Sequence, residues 1–334
     1  MAEPVLWLTE QDVVSLITLD DAIEGLEHGL RALGEAKGFN VPKALGGWAD
    51  GSSMHSLGSA LPGLGYAGFK SWVNTKRGAT AIFTMFDSNN GALVAVMEAA
   101  ALGQLRTSAM TGVGTKWLAP KDASEMALIG TGAQSITQIA VINAVRPLKR
   151  LRVFSPTAEK RKAFIANAKT KFGFEIVEAD SAQAATDGAP IVTVVTRATE
   201  PFLTASMLAR GAHLNAVGAI LPANAEFAQD VFARVGIVAV DDLPNVQKSS
   251  REFIDYYEKG GRGWGSVRGI ADVIAKGDGR PAGCDVSLFK AVGMGISDLS
   301  MAIMALDRAR AKGLGRSMPH PVRAIPTWKG APKT

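Results

Sequence analysis

The stretch Met126-Ala127-Leu128-Ile129-Gly130-Thr131-Gly132-Ala133-Gln134-Ser135 joins a short apolar run to a glycine turn and then to a helical pattern that ends near Val145. A second apolar run, Leu151-Arg152-Val153-Phe154, follows it. Strand, glycine turn, helix and strand in this order form the first unit of a dinucleotide-binding Rossmann fold. Gly130 permits the tight turn, and Gly132 lets the backbone approach a pyrophosphate at the helix N-terminus. We therefore predict a bound dinucleotide here, the alternative being a turn with a structural role alone.

The other predicted cofactor contacts follow later apolar runs. Ligands of a parallel sheet bind at the carboxyl ends of its strands, so the residues directly after those runs are the candidates. The residues predicted to contact the cofactor are Gly130, Thr131, Gly132, Ala133, Gln134, Ser155, Thr157, Arg161, Thr196, Val217 and Gly218.

Ser155 follows the second strand, where a dinucleotide fold reads the adenosine ribose. A carboxylate at that point would bind the ribose 2′-hydroxyl and repel a 2′-phosphate. Here the hydroxyls of Ser155 and Thr157 are followed by Lys160 and Arg161. The segment predicts NADP(H) in preference to NAD(H), unless the two cations belong only to an exposed helix face.

Length and composition indicate an ordinary globular protein of two domains. The chain has 334 residues, 47% apolar residues and 20% charged residues, and it exceeds the size of a typical single core. The net charge of +5 is dispersed without interleaved aromatics, so we expect no nucleic-acid partner. The start Met1-Ala2-Glu3-Pro4 lacks a basic segment, and the chain has no long apolar run. With a lone Cys284, these features predict a cytoplasmic location, no membrane association and no metal site.

The first third of the chain predicts a small antiparallel sheet. Val5–Leu8 is a candidate strand, and a helix is predicted from about Asp20 to Lys37. Residues 43–97 are rich in glycine and in short apolar runs, with a hairpin signal at Asn89-Asn90-Gly91. A helix then leads to a first domain boundary near residue 118. A sheet this small is not expected to close a core alone, so we expect it to pair across a two-fold axis.

Beyond residue 118, apolar runs alternate with helix-sized segments. This alternation predicts a parallel sheet with helices on both faces, so the predicted fold class is α/β. A last helix, from about Ile296 to Lys312, is expected to return to the N-terminal domain.

Lys43, Lys70 and Arg106 lie in or beside the predicted antiparallel region. If they converge over the cofactor, they suit a small carboxylate, which an arginine can bind through two parallel hydrogen bonds. Taken alone, basic residues in separate segments are more often solvated.

Several further segments carry a resemblance. They are Gly103-Gln104-Leu105-Arg106-Thr107-Ser108-Ala109, Lys116-Trp117-Leu118-Ala119-Pro120, Gly211-Ala212-His213-Leu214-Asn215-Ala216-Val217-Gly218-Ala219, Leu288-Phe289-Lys290 and Asp298-Leu299. Together with the glycine turn, and in this order and spacing, they resemble the ornithine cyclodeaminase/mu-crystallin family over nearly the whole chain.

The resemblance implies a homodimer with a discontinuous α+β substrate-binding and dimerisation domain, residues 1–118 completed by 306–334. A Rossmann domain, residues 119–305, lies between. It also implies hydride transfer between nicotinamide and an α-carbon that bears nitrogen. By motif position, Lys70 and Arg106 match the family's carboxylate-binding lysine and arginine. Lys43 matches an arginine found in many members.

Two departures from the family pattern concern the substrate's side chain. Ile220 stands where cyclodeaminases have an aspartate that handles the substrate's amines. A glutamate that the family has shortly before Met54 is also missing, since Gly51-Ser52-Ser53 precede that methionine, and His55 follows it. His55 is either an ordinary loop histidine or part of the site. Without the two carboxylates, the pocket suits a substrate with an apolar or neutral side chain.

These observations predict an NAD(P)H-dependent reductase of a small α-imino acid, such as a pyrroline- or piperideine-2-carboxylate, that forms the L-amino acid. Lys70 and Arg106 are the predicted catalytic residues, with Lys43 and Ile220 as further substrate contacts. Lys70 is also a candidate proton donor to the imine nitrogen. The alternatives are an ornithine cyclodeaminase that recycles bound NAD, and a binding protein that uses NADPH without turnover.

Overall fold

The computed structural model describes residues 3–326, and its strands form one sheet of seven strands and one of eight. Met1, Ala2 and residues 327–334 lie outside the described residues. The predictions that concern them, at the N-terminus and in the C-terminal part of the first domain, stay predictions. Within residues 3–326, no helix is long and apolar enough to cross a membrane. In the same range, no cluster of three or more His, Cys, Asp or Glu side chains is arranged to hold a metal ion.

The first sheet is built from the N-terminal part of the chain and one C-terminal strand, in the order β15-β1-β6-β5-β4-β3-β2. Its strands are β1 (Val5–Leu8), β2 (Phe39–Gly47), β3 (Ser53–Leu61), β4 (Tyr66–Thr75), β5 (Gly78–Asp87), β6 (Leu93–Glu98) and β15 (Arg316–Met318). All neighbours are antiparallel except β1 and β6, which are parallel.

The predicted antiparallel region and its hairpin are confirmed. Asn89-Asn90-Gly91 joins β5 to β6, and Gly91 has a φ of 75°, which favours glycine. The β-period of two is clear in β4, where Gly68 and Lys70 are buried while Phe69 and Ser71 are exposed. One face of the strand therefore points toward the rest of the protein and carries Lys70.

The second sheet is entirely parallel, in the order β13-β12-β14-β11-β10-β7-β8-β9. Its strands are β7 (Glu125–Ile129), β8 (Arg150–Phe154), β9 (Glu175–Glu178), β10 (Ile191–Val194), β11 (His213–Ala216), β12 (Val235–Val240), β13 (Val267–Gly269) and β14 (Val286–Lys290). The predicted α/β class is confirmed. β13 and β14 were not predicted as strands, although β14 lies inside the sheet between β11 and β12.

Ten α-helices surround the sheets in the described part of the chain. They are α1 (Glu10–Leu16), α2 (Leu19–Gly34), α3 (Ala100–Leu118), α4 (Ser135–Val145), α5 (Ala158–Lys169), α6 (Ala182–Thr186), α7 (Leu243–Ser249), α8 (Arg251–Phe253), α9 (Ile270–Lys276) and α10 (Gly295–Lys312). A capping box starts both α1 and α2, from Thr9 with Asp12 and from Thr18 with Asp21. Each box satisfies backbone N–H groups that the first helical turn leaves without partners.

Helix α10 returns the chain to the first sheet, as expected. The N-terminal end of α10 approaches β3 closely, because a Cβ added to Gly295 would lie 2.2 Å from the carbonyl oxygen of Gly58. After the helix, β15 pairs with β1. The predicted domain boundary between residues 305 and 306 lies within this helix, and the division into domains stays a prediction.

One apolar cluster connects the two sheets. It includes Leu8 and Phe83 of the first sheet, Leu26 of α2, and Leu128 and Val153 of the second sheet. Helix α3 runs between the two sheets and is itself largely buried. The junction between the domains is thus backed by continuous packing, which fixes the side chains of one domain relative to the other.

Candidate active site

The carboxyl edge of the parallel sheet presents a row of turns whose order follows the strand order. Ser155 follows β8, Gly130 follows β7, Thr196 comes just after β10, Gly218 just after β11, and Gly293 just after β14. Ligands of such sheets lie along this edge. The predicted cofactor contacts at Ser155, Gly130, Thr196 and Gly218 therefore lie along one edge of the sheet.

The glycine turn after β7 fits a dinucleotide. Gly130 has a φ of 113°, and a Cβ there would lie 2.5 Å from the carbonyl oxygen of Val195, so only glycine is accommodated. At Gly132 a Cβ would meet nothing within 4 Å, which leaves open space above the exposed backbone at the start of α4. An anion can approach the backbone N–H groups in that space.

The rest of this turn is tied to the other domain. Ala133 is exposed, and Thr131 and Gln134 are partly exposed. Gln104 of α3 donates a hydrogen bond from Nε2 to the carbonyl oxygen of Ala133 at 3.2 Å. The helix that carries Arg106 is thereby fixed to the turn predicted to hold the pyrophosphate.

The predicted ribose end of the site is formed by the segment after β8. Ser155 is partly exposed, and Thr157 and Lys160 are exposed. Arg161, predicted as a cofactor contact with an exposed helix face as the alternative, has its charge paired within the protein. It is buried, its Nε donates to Oε1 of Glu178 at 2.8 Å, and its Nη1 donates to the carbonyl oxygen of Ser155 at 2.5 Å. Arg161 therefore shapes the turn by holding the Ser155 backbone, because its charge is already paired with Glu178.

The turns after β10 and β11 share one buried carboxylate that the sequence did not predict. Thr196 donates to Oε1 of Glu226 from both its backbone N and its Oγ1. Gly218 donates its backbone N–H to Oε2 of the same residue. Val217 is buried, and its backbone N–H donates to the carbonyl oxygen of Val194. The only sequence signal for Glu226 is a charge within the apolar stretch 225–228.

The cations Lys70 and Arg106 converge on one carboxylate. The Nζ of Lys70 donates to Oδ1 of Asp298 at 2.6 Å, and the Nε of Arg106 lies 3.5 Å from the same oxygen. Lys70 and Asp298 are both buried. Burial, followed by the positive charge of Arg106, lowers the pKa of Lys70 to about 8, while Asp298 opposes that shift.

Lys43 joins this cluster through an aromatic ring. The ring of Trp72 on β4 lies 6.0 Å from the Nζ of Lys43 and 5.1 Å from the Nζ of Lys70. Burial and the charge of Arg106 lower the pKa of Lys43. Three cations are thus close together, and Asp298 is in direct contact with two of them, Lys70 and Arg106. The excess positive charge suits an anionic ligand.

The guanidinium of Arg106 is directed toward the edge of the parallel sheet. A Cβ added to Gly293, which has a φ of 101°, would lie 3.2 Å from Nη1 of Arg106. Among residues 3–326, the buried Nε of Arg106 makes no hydrogen bond to a protein group, although it lies 3.5 Å from Oδ1 of Asp298. The planar N–H groups of the guanidinium are available for a ligand carboxylate.

His55 belongs to the wall of this site. Its ring stacks on Trp72 with centroids 4.5 Å apart and planes 1° apart, and its Nε2 lies 2.8 Å from Oγ of Ser53. Burial, with a further contribution from Lys43, lowers the pKa of His55 to about 4. The ring is therefore neutral near pH 7. By stacking on Trp72 it supports the indole ring that both Lys43 and Lys70 contact.

Ile220, the remaining predicted substrate contact, lies in the turn after β11. Its side chain is 39% exposed. The neighbouring carbonyl oxygen of Ala219 accepts a hydrogen bond from Lys290. Among the described residues, the hydrogen bonds and ion pairs of Lys43, Lys70 and Arg106 do not involve Ile220.

Asn245, which the sequence did not predict, links the two domains at the site. Its Oδ1 accepts the backbone N–H of Lys43 at 3.0 Å, and its Nδ2 donates to the carbonyl oxygen of Gly293 at 3.0 Å. The contact with Lys43 spans 202 positions along the chain, so no local pattern could have shown it.

The fold and the site together define a dinucleotide-binding protein whose first domain brings a cationic cluster to the carboxyl edge of the parallel sheet. The sequence profile of the ornithine cyclodeaminase/mu-crystallin family matches residues 4–313. The chain belongs to that family, which confirms the resemblance described above.

The chain is 28% identical over 320 residues to an alanine dehydrogenase of Archaeoglobus fulgidus, covering 93% of this chain and 97% of the relative. The structure of Thermococcus litoralis Δ1-pyrroline-2-carboxylate reductase in complex with NADH and L-proline is 26% identical, with a TM-score of 0.88 over 94% of this chain and 100% of that one. An archaeal alanine dehydrogenase dimer with bound NAD is 25% identical, with a TM-score of 0.87 over 95% of this chain and 99% of that one.

Proposed function

We propose that this protein is an NAD(P)H-dependent oxidoreductase that reduces a small α-imino acid, of the pyrroline- or piperideine-2-carboxylate type, to the L-amino acid. The observation that carries the proposal is the convergence of Lys70 and Arg106 on Asp298 beside Gly293. This cluster lies at the same sheet edge as the glycine turn that fits a dinucleotide. The related reductase with NADH and L-proline supports the reaction class.

The substrate carboxylate is assigned to the cations. Arg106 offers its guanidinium N–H groups toward Gly293, and Lys43 adds a second positive charge near Trp72. Two parallel hydrogen bonds from an arginine fix the plane of a carboxylate as well as its position. The α-carbon of the substrate is then held in one orientation relative to the sheet edge.

The proton for the imine nitrogen is assigned to Lys70. Burial and Arg106 bring its pKa to about 8, so the ammonium form predominates at neutral pH and yet gives up its proton readily. Asp298 accepts a hydrogen bond from the ammonium at 2.6 Å and so holds it in place. A nicotinamide cofactor supplies the hydride when bound.

We propose NADP(H) over NAD(H) as the preferred cofactor. The turn after β8 carries the hydroxyls of Ser155 and Thr157 and no carboxylate, and the ammonium of Lys160 is exposed. Arg161 supports the proposal indirectly, since it shapes the Ser155 backbone. The archaeal alanine dehydrogenase binds NAD. The comparison of NADPH and NADH binding in the Ser155 variants therefore tests the proposed preference.

We also propose that the protein is a homodimer formed through the outer face of the first sheet. Met54, Phe69 and Val73 are large apolar residues exposed on that face, on strands whose other face carries the site. Exposed apolar surface of this kind is typical of an interface. The archaeal alanine dehydrogenase is a dimer.

The function is tested by screening cyclic and open-chain α-imino acids while following NADPH absorbance at steady state. The proposal expects net consumption of NADPH with at least one imino acid. Binding of NADPH without turnover on any of them would instead support the binding-protein alternative.

A further inference from the structure

The carboxylate of Glu226 is fully buried beneath the turns after β10 and β11. Its Oε1 accepts the backbone N–H of Thr196 at 2.6 Å and the hydroxyl of that residue at 2.8 Å. Its Oε2 accepts the backbone N–H groups of Gly218 and Ala219, each at 2.9 Å. One side chain therefore accepts four hydrogen bonds, two from each turn.

The two turns approach each other so closely at this point that no side chain fits between them. A Cβ added to Gly218 would lie 2.2 Å from the backbone N of Thr196 and 2.3 Å from Oε1 of Glu226. The glycine turn is part of the same packing, because a Cβ on Gly130 would lie 3.2 Å from Cγ2 of Thr196. The shape of the sheet edge here depends on what joins the two turns.

The order of strands places this pair of turns between the ribose end of the edge and the cationic cluster. Ser155 lies on one side of the glycine turn, and Thr196, Gly218 and then Gly293 lie on the other. A dinucleotide that follows the edge from Ser155 has its nicotinamide half on the Thr196 and Gly218 side.

We propose that Glu226 is a positioning residue that joins the turns after β10 and β11 into one rigid surface for the nicotinamide half of the cofactor. The inference rests on the proposed function, because it takes the ligand of the edge to be a nicotinamide dinucleotide. Glu226 is separated from solvent by the turns that it holds.

The ionised carboxylate is the group that these contacts require. Its two oxygens face N–H and O–H donors from both turns, whereas the amide of a glutamine has one acceptor oxygen and a donating NH₂ group. In Glu226→Gln the NH₂ group must face the donors of one turn, and a buried donor is left without an acceptor. The variant thus breaks the hydrogen bonds to one of the two turns with almost no change in side-chain volume.

Glu252 offers a matched control from the same buried network. Its Oε1 accepts the backbone N–H of Glu226, and its Oε2 accepts the hydroxyl of Ser250. A glutamine at position 252 can keep both hydrogen bonds, because a hydroxyl also accepts hydrogen bonds. It removes the negative charge that lies 3.7 Å from the Nζ of Lys290, so the variant controls for the loss of a buried charge near the turns. Glu252 makes no hydrogen bond to the turns after β10 and β11 in the described residues.

The experiment measures the dissociation constants of NADPH, NADH and ADP-ribose for wild type, Glu226→Gln and Glu252→Gln. It also measures amide hydrogen exchange at Thr196, Gly218 and Ala219 in the cofactor-free proteins. We expect Glu226→Gln to weaken binding of both dinucleotides by about tenfold, as for a lost charged acceptor, while ADP-ribose binding changes little. Exchange at the three amides should become faster. Glu252→Gln should leave the dinucleotide to ADP-ribose ratio and the exchange rates near wild type.

Glu226→Asp keeps the charge but shortens the side chain by one methylene, so it should give an intermediate ratio. It serves as the second variant if Glu226→Gln does not fold. If wild type binds the dinucleotides and the Glu226 variants leave both the ratio and the exchange unchanged, the inference is overturned while the proposed function stands. If wild type binds neither dinucleotide, the proposed function is overturned and the inference with it.

Discussion

The Nζ of Lys70 lies 2.6 Å from Oδ1 of Asp298, although the two residues are 228 positions apart in the chain. The pair joins β4 of the first sheet to the first turn of α10, and both side chains are buried. Arg106 and Lys43 both disfavour the charged form of Lys70, whereas Asp298 favours it. Asp298 is therefore the group that keeps a proton on Lys70 among neighbouring cations.

The pH dependence of reduction should report this proton. The pKa of Lys70 is about 8, and the protonated form is the donor, so the rate should be flat below about pH 8 and fall at higher pH. The slope should approach tenfold per pH unit. A profile of kcat/KM between pH 6 and 10 checks this. A rate that rises with pH through this range would remove Lys70 from the role of proton donor.

Asp298→Asn should move that alkaline limb to lower pH. The substitution keeps the shape of the side chain but removes the charge that raises the pKa of Lys70. Asp307→Asn is the matched control, since Asp307 lies on the same helix and is exposed. An unchanged profile in Asp298→Asn would show that the limb belongs to another group.

Arg106→Ala should reduce kcat/KM by about a hundredfold or more. Removing one partner of a buried, hydrogen-bonded charge pair costs on the order of 3 kcal/mol of transition-state binding free energy. Arg106→Lys keeps the charge without the planar fork and should recover part of the loss. Steady-state kinetics at saturating NADPH measures both variants. A loss below threefold in Arg106→Ala would show that another residue binds the carboxylate.

Ser155→Asp should discriminate between the two cofactors. A carboxylate at the end of β8 repels a 2′-phosphate and can accept from a ribose 2′-hydroxyl. The dissociation constant of NADPH should rise by about tenfold relative to that of NADH. Ser155→Ala is the control that removes the hydroxyl without adding charge. Equal effects on both cofactors would place the discriminating contact elsewhere.

Phe69→Glu should dissociate the proposed dimer. Phe69 is 42% exposed on the outer face of β4, and a carboxylate buried in an apolar interface is strongly unfavourable. Val14→Glu on α1 is the control, because Val14 is also an exposed apolar residue but lies outside the sheet. Sedimentation at micromolar concentration measures the assembly. A wild-type protein that sediments as a monomer would contradict the proposed interface.

The sequence predicted those features that depend on local pattern. Gly130 could be assigned to a tight turn because a glycine between an apolar run and a helix has few other roles. The class of the second domain followed from repeated alternation of strands and helices. β14 escaped detection because Ser287 and Lys290 interrupt its apolar pattern, although both are buried. Their polar groups are satisfied by tertiary contacts that the sequence does not display.

The residues around the site were predictable only in part for the same reason. Lys70 and Arg106 were selected from the family resemblance, but Trp72 and Asn245 act through contacts with Lys43, which lies on a different segment from either residue. Arg161 shows the converse limit. Its position beside Ser155 suggested a free cation, and the partner that pairs its charge, Glu178, lies on the next strand.

We propose that the cationic cluster supports reduction rather than deamination, because Ile220 cannot hold or deprotonate a distal amine. The direct measurement is parallel quantification of NADPH oxidised with an α-imino acid and of ammonia released from ornithine, with the same preparation of wild-type protein. We expect one NADPH to be consumed for each L-amino acid formed, and no catalytic release of ammonia from ornithine. Sustained ammonia release from ornithine without net change in the cofactor would contradict it.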